Sequence, residues 1–231
     1  CPIFNLIVAE QLREINVKPY KIVLEPFGKN TAPAITIAAL VASEDYTNIN
    51  LLILSADHEI ENGTRFQEII NKGLEYSEEN NLITFGVVPR NPETGYGYIQ
   101  GEMPFDKDIL KGTKIKKFIE KPELETAKKL IEDKCFTWNS GIFLFKINTL
   151  LEEMEKFNPE IIKHCRESIN KKSIDLDFLR LDENSFKKCP NISIDYAVLE
   201  KTNRGMVLPM DLYWSDVGHW RSVWENSKKD K

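Results

Sequence analysis

The chain has 231 residues and a formal net charge of -5, from Lys+Arg 31 against Asp+Glu 36, with 42% hydrophobic and 29% charged residues. That length allows one substantial core with room for a small subdomain, and the composition is that of an ordinary globular chain rather than a disordered one. Lysines and acids are well mixed, no apolar run is long enough to span a bilayer and no signal peptide is read, which argues against nucleic-acid and membrane partners.

The four cysteines, Cys1, Cys135, Cys165 and Cys189, form no close pair along the chain. Neither a zinc knuckle nor a redox dithiol is suggested, and they are read as reduced thiols of a cytoplasmic protein. His58, His164 and His219 share no ligand spacing.

The chain opens at Cys1-Pro2-Ile3-Phe4, without methionine, in what reads as the exit of a strand and as part of a larger protein. Leu6, Ile7, Leu12 and Ile15 then fall on one helical face. Lys18-Pro19 ends that segment, and Tyr20 to Leu24 reads as a strand. The polar loop Glu25 to Pro33 leads into a helix from Ala34 to Ser43, with Asn30 or Thr31 as cap and Pro33 in the first turn. Leu51-Leu52-Ile53-Leu54 reads as a strand buried on both faces, in the middle of a mostly parallel sheet. It runs into Ser55-Ala56-Asp57-His58, where Asp57 either caps the next helix or holds a cation at a strand exit.

A helix over 63–80 and a strand over 82–88 complete an alternation of helices and strands, the pattern of a sheet with crossover helices. Asn91 to Ile99 is a turn-rich segment entering a strand, with Gly95 and Gly97 permitting close approach to a ligand or simply a hairpin corner. Lys114 to Glu120 reads as a strand that ends at Glu120-Lys121-Pro122, before a helix over 123–132. Trp138 to Phe145 reads as a polar corner joined to an apolar strand. Three helical segments follow, at 150–157, 159–170 and 174–181, forming a helical subdomain or outer layer over about 147–190 within a single domain spanning 1–231. A short helix at 193–200 and a strand at 205–208 lead to a second corner, Trp214 to Gly218, then a helix at 220–225 and a charged tail.

Polar residues thus recur where strands end: Glu25, Asp57, Glu120 with Lys121, Asn139 and Asp216. Recurrent strand-end residues are how an α/β sheet builds a site. Asp57 and Asp216 suit one magnesium ion, which prefers carboxylate, water and phosphate oxygens. The Lys121 ammonium suits a phosphate, and Glu120 and Asn139 suit sugar hydroxyls. The competing reading gives Asp216 to a helix cap and Glu120 to a surface lysine.

Taken in order, the stretches Leu24 to Ala34, Leu54 to His58, Thr84 to Pro89, Pro92 to Ile99, Phe118 to Pro122, Trp138 to Phe143, Ile192 to Thr202 and Trp214 to Gly218 resemble one family. It is the nucleotidyltransferase domain of bacterial mannose-1-phosphate guanylyltransferases of the long, often bifunctional type. The resemblance implies a Rossmann-like three-layer nucleotide-sugar transferase fold with a mixed, mostly parallel central sheet, N-terminally incomplete. It implies guanylyl transfer from GTP to mannose 1-phosphate, giving GDP-mannose and pyrophosphate, with Mg2+. Asp57, Lys121 and Asp216 would be catalytic, and Asp57 and Asp216 the metal ligands. Gly97, Glu120, Lys121 and Asn139 would line the sugar-phosphate site. Glu25, Pro26, Asn30 and Thr31 would lie along the nucleotide. No protein nucleophile is needed, which leaves His58 a structural role.

The sequence departs from the family at Lys29, where arginine is common, and at Ser55, where proline is frequent. The larger departure is that no Gly-Gly-x-Gly-x-Arg phosphate loop occurs. Activity is therefore expected to be impaired, since backbone N–H groups and cations aimed at phosphate charge are a large part of such catalysis. An exposed sheet edge, open to homodimerisation, is expected as well. The family's left-handed helical extension and cupin isomerase domain have no counterpart in the sequence. Another hexose 1-phosphate or base, and a non-catalytic nucleotide-sugar binding protein or scaffold, remain as alternative functions.

Overall fold

The computed structural model describes residues 2–106, 109–176 and 178–217, with side chains from residue 6 onward. Along the chain run α1 (Pro2–Glu14), β1 (Ile22–Leu24), α2 (Thr31–Ser43), β2 (Asn50–Ile53), β3 (His58–Ile60), α3 (Gly63–Glu78) and β4 (Leu82–Val87). They are followed by β5 (Tyr98–Gly101), β6 (Thr113–Ile119), α4 (Leu124–Glu132), β7 (Phe136–Lys146), α5 (Ile147–Phe157) and α6 (Pro159–Asn170). The last are β8 (Ser173–Asp175), β9 (Phe178–Arg180), α7 (Glu183–Phe186), a π-helical turn Asp195–Leu199, β10 (Gly205–Met210) and β11 (Trp214–Asp216). The expected α/β alternation is present. None of the helices among the described residues is long and apolar enough to cross a membrane.

The chain divides into two compact units, Cys1–Thr47 with Leu150–Lys201, and Asn48–Thr149 with Thr202–Lys231. In the first, α2 is apolar almost all round and buries Ala32, Ile35, Ile37, Ala39, Leu40 and Val41, as a core helix must. Asn30 starts it at φ +66°, its side chain accepting the Thr31 N–H at 2.8 Å. The Thr31 hydroxyl accepts from Ile194 N at 2.9 Å and Ala32 N donates to Ile192 O at 3.2 Å. The Asn-Thr-Ala-Pro stretch and the approach to the π turn are thus stitched together. β1 pairs parallel with β9, and β9 antiparallel with β8.

In the second unit six strands pair in the order β2-β7-β4-β10-β6-β5, with β5 also tied back to β7. β4 is buried along its whole length between β7 and β10. α3 starts at the Asn62 cap and presses Ile69 and Gly73 onto the sheet. At Gly73 an added Cβ would come within 3.0 Å of Leu144 and Phe85, so the helix approaches as closely as glycine allows. The core is built from Ile69, Ile83, Phe85, Tyr98, Trp138, Leu144, Leu208 and Trp214.

Several expectations are corrected. The sheet is mixed, but β4–β10 is its parallel pair and the other pairs are antiparallel. β2 is not a central strand. It pairs with β7 at one end of the strand order, leaving Leu52 37% and Leu54 52% exposed. Branched apolar residues reported a strand but not its neighbours. Pro2 opens a helix rather than closing a strand, a position where its fixed φ is already helical. Leu6 and Ile7 on that helix are exposed, so the apolar face read there is not covered by described residues. Residues 173–175 and 178–180 pair antiparallel as β8 and β9 rather than forming a helix, because β9 is captured by β1. A short apolar run cannot choose its period without such a partner. Trp138 to Phe145 is no corner but lies inside β7, which accommodates Gly141 at φ +67°. Trp214–Asp216 is likewise a strand, whereas the helix expected at 220–225 and the tail beyond it fall outside the described residues.

A Cβ added at Gly86 would lie 2.1 Å from Thr137 Oγ1 and 2.8 Å from Val207 Cγ2, both buried. Gly86→Ala is expected to lower unfolding stability by about 3 kcal/mol, read as a fall in the urea midpoint with an unchanged slope.

Candidate active site

Two strands too short to stand alone carry the acidic centre. β3 and β11 pair antiparallel with Asp216 opposite His58, Ser215 opposite Glu59 and Trp214 opposite Ile60. Val217 N donates to Asp57 O at 2.9 Å, and Glu61 N to Tyr213 O at 3.1 Å, extending the ribbon at both ends. Asp57 and Asp216, far apart in sequence, are therefore backbone neighbours. Asp57 is no helix cap: β3 intervenes, and α3 is capped by Asn62, which accepts Arg65 N at 3.1 Å.

His58 is held between the strands and β7. Trp214 Nε1 donates to its Nδ1 at 3.3 Å, and the two rings meet edge-on at 5.0 Å. An indole N–H only donates, so Nδ1 must accept and the proton of the neutral ring sits on Nε2. Burial lowers the pKa of His58, against the raising effect of Asp57 and Asp216. The ring's Cε1 faces Gly141, where an added Cβ would be 3.8 Å away.

From Gly141 the site continues to the residues expected at a sugar phosphate. Gly141 N donates to Asn139 Oδ1 at 3.2 Å, and Asn139 N donates to Gly97 O at 2.8 Å. Gly97 lies directly against Glu120, since a Cβ there would be 2.8 Å from Glu120 Oε2 and 3.6 Å from Asn139 Cβ. A Cβ here would displace the Glu120 carboxylate rather than strain the backbone. Lys121 has φ +41°, in the left-handed region that a side chain disfavours, and its ammonium is 3.7 Å from Glu120 Oε1. Both side chains are more than a third exposed, so the pair adds little stability and leaves the ammonium open to an anion. Asp57, Gly97, Glu120, Lys121, Asn139 and Asp216 all lie in the second unit.

One residue that the sequence reading passed over joins these parts. Tyr96 meets Trp138 and Trp214 edge-on at 5.4 and 5.2 Å. Burial, then the Asp216 charge, raises its pKa. The aromatic flanked by Gly95 and Gly97 was the available signal.

The expected nucleotide residues belong to the first unit. Asn30 and Thr31 are occupied in holding α2 and Ile194, as described above. Pro26 is exposed. Glu25 is half-buried; desolvation raises its pKa, and its Oε1 meets no hydrogen-bond partner among the described residues. Lys29 Nζ donates to Lys187 O at 2.8 Å, a single contact that does not need arginine's fork. Cys165 and Cys189, distant along the chain, bring their Sγ atoms to 3.8 Å in this unit.

Residues 5–231 match the family model of nucleotidyl transferases, and the chain belongs to that family. It is 46% identical over 229 residues to a mannose-1-phosphate guanylyltransferase of Escherichia coli, covering 98% of this chain and 49% of that protein. It is also 46% identical over 226 residues to mannose-1-phosphate guanylyltransferase ManC of Salmonella typhimurium, covering 96% and 47%. The chain spans about half the length of the curated relatives it matches. Among solved structures, mannose-1-phosphate geranyltransferase from Thermus thermophilus superposes with a TM-score of 0.78 at 29% identity, over 96% of this chain and 62% of that one. Mannose-6-phosphate isomerase from Helicobacter pylori gives the same score and identity over 90% and 79%. The fold is thus the Rossmann-like architecture of nucleotide-sugar transferases.

Because the folded state disfavours charging His58, the unfolded chain takes up that proton first. Stability is therefore expected to fall as pH drops below 6.5 towards the lower folded value, with no contribution above 6.5. Nitrogen-edited NMR should show the ring titrating below 6.5 with Nδ1 unprotonated at neutral pH; an Nδ1–H tautomer would contradict the assignment.

Proposed function

We propose that the second unit carries the sugar-phosphate and metal half of a guanylyltransferase site, in a reaction joining mannose 1-phosphate to GTP to give GDP-mannose and pyrophosphate. The observation that carries this reading is the β3–β11 pairing, which makes Asp57 and Asp216 backbone neighbours in the unit that holds Gly97, Glu120 and Asn139. The relatives' identity of about half the residues supports the choice of base and sugar.

In this reading Glu120 and Asn139 receive the mannose hydroxyls, with Glu120 accepting and Asn139 able both to donate and to accept. The Lys121 ammonium holds the phosphate of the sugar. A phosphate oxygen then attacks the α-phosphorus of the nucleotide, with pyrophosphate leaving in line. The sugar phosphate is already an anionic nucleophile, so no general base is required, and His58, its Nδ1 occupied by Trp214, takes no proton.

Asp57 and Asp216 would hold a magnesium ion. Among the described residues no group of three or more His, Cys, Asp or Glu forms a cage for a metal. A pair of carboxylates fits magnesium nonetheless, because that ion keeps several waters and takes phosphate oxygens as ligands. When bound, it supplies charge neutralisation and orientation of the phosphoryl groups.

The assay is GDP-mannose formation by the full natural chain. Asp57→Asn and Asp216→Asn are each expected to lower kcat by about 10²–10³-fold, roughly 3–4 kcal/mol of transition-state stabilisation. Asn139→Ala is expected to raise KM for mannose 1-phosphate by about tenfold, with a smaller effect on kcat. A clear preference for uridine or thymidine triphosphate over GTP would overturn the choice of base.

A further inference from the structure

We propose that Cys165 and Cys189 are a redox pair, two thiols that close to a disulfide under peroxide and reopen with a dithiol reductant, cross-linking α6 to the segment that holds the start of α2. The inference stands on the first unit alone and does not depend on the reading of the acidic centre in the second.

Distance along the chain hides the contact. Cys165 lies in the middle of α6 and Cys189 just beyond α7, and their Sγ atoms meet at 3.8 Å. A disulfide needs about 2.05 Å, so closing it asks for a shift of under about 2 Å. The surroundings hold the two sulfurs in register. Close by on α6, Ser168 Oγ donates to Asp182 O at 2.9 Å, and Asp182 N donates back to Ser168 O at 3.3 Å. Asp182 Oδ1 accepts Ser185 N at 2.9 Å to start α7, and Phe186 is fully buried. Cys189 N then donates to Phe186 O at 3.0 Å, so the turn that ends in Cys189 is docked on α6 and delivers its thiol to Cys165. Both thiols are buried, but Lys187, Lys188, Pro190 and Asn191 around Cys189 are exposed. Cys189 is therefore the sulfur that a small oxidant reaches, by local opening of one surface turn.

Cys189 is also the better nucleophile, since the thiolate and not the thiol attacks. Its hydrogen bond with Cys165 lowers its pKa and the Lys29 charge adds to this, against the effect of burial, whereas the same bond and burial raise that of Cys165. The Cys189 sulfur attacks one oxygen of hydrogen peroxide, the O–O bond breaks, and a sulfenic acid forms. The hydroxide released takes up the proton that Cys189 gave off. The Cys165 sulfur then attacks the sulfenic sulfur, the S–O bond breaks, and that oxygen leaves as water with the Cys165 proton. Two thiols lose two hydrogens and two electrons, and one peroxide becomes two waters.

The bond acts on the start of α2. Lys29 Nζ donates to Lys187 O at 2.8 Å and Ala32 N to Ile192 O at 3.2 Å, on either side of Cys189. Ile194 N donates to Thr31 Oγ1 at 2.9 Å, and Cys165 Sγ lies 3.9 Å from Pro33 O. Joining Cys189 to α6 restrains residues 187–194 against the Lys29 to Pro33 stretch, so the hydrogen bonds between them open less often.

The test is treatment of the full natural chain with hydrogen peroxide near neutral pH, then alkylation of free thiols in denaturant, digestion without reduction and mass spectrometry. The Cys165 and Cys189 peptides should be recovered joined, about 2 Da below the sum of the two reduced peptides. Dithiothreitol should return both as free thiols. Hydrogen exchange should be at least about threefold slower at the Ala32 and Ile194 amides of the oxidised chain. In Cys189→Ala, peroxide should leave that exchange unchanged. Recovery of the two cysteines as separate alkylated or over-oxidised peptides, or joined to other cysteines instead of to each other, overturns the inference, and the wild type alone decides this. A joined pair with unchanged exchange at Ala32 and Ile194 overturns it as well. GDP-mannose formation enters neither readout, so failure of the guanylyltransferase reading is seen separately.

Discussion

The pairing of Asp216 opposite His58 is the constraint on which the rest of the site depends. Neither β3 nor β11 is long enough to hold its place by hydrogen bonds alone. What anchors the ribbon is Trp214, buried in the same core as Phe85, Tyr98 and Trp138 and bonded through its indole to His58. The position of two carboxylates is thereby made a consequence of core packing. Any change that loosens Trp214 disturbs the acidic centre without touching a charge.

The same logic runs through β7. Its inner face supplies Trp138, Ile142 and Leu144 to the core, and its irregular middle presents Asn139 and Gly141 to the site. The positive φ at Gly141 and the register shift between Thr84 and Gly86 mark where the strand departs from regular pairing. Irregular positions of this kind commonly re-aim side chains next to functional sites. The left-handed backbone at Lys121 belongs to the same class.

Much of the fold was legible because helical periodicity and caps are local. α3 starts at Gly63, and α2 carries Pro33 in its first turn, as the sequence suggests. What is not local was lost. The direction of strand pairing, the edge position of β2 and the β8–β9 hairpin depend on partners that no single window of sequence contains. For the site, the sequence marked Asp57, Glu120, Asn139 and Asp216 as strand-end polar residues, and all four lie in one unit. The sequence could not separate these from Asn30 and Thr31, whose side chains serve the start of α2 and the approach to the π turn. It also passed over Tyr96 and Trp214, because aromatic residues beside a site read first as core.

The central claim is that β3 and β11 bring Asp57 and Asp216 to one cation beside the sugar cluster. Crystals of the full natural chain grown with Mn2+ and GDP-mannose, measured at the manganese absorption edge, test it most directly. The account predicts an anomalous peak bonded to both carboxylates and to phosphate oxygen, with the mannose ring against Glu120 and Asn139. A peak away from both aspartates, or mannose bound outside the Gly97–Glu120–Asn139 cluster, would contradict it.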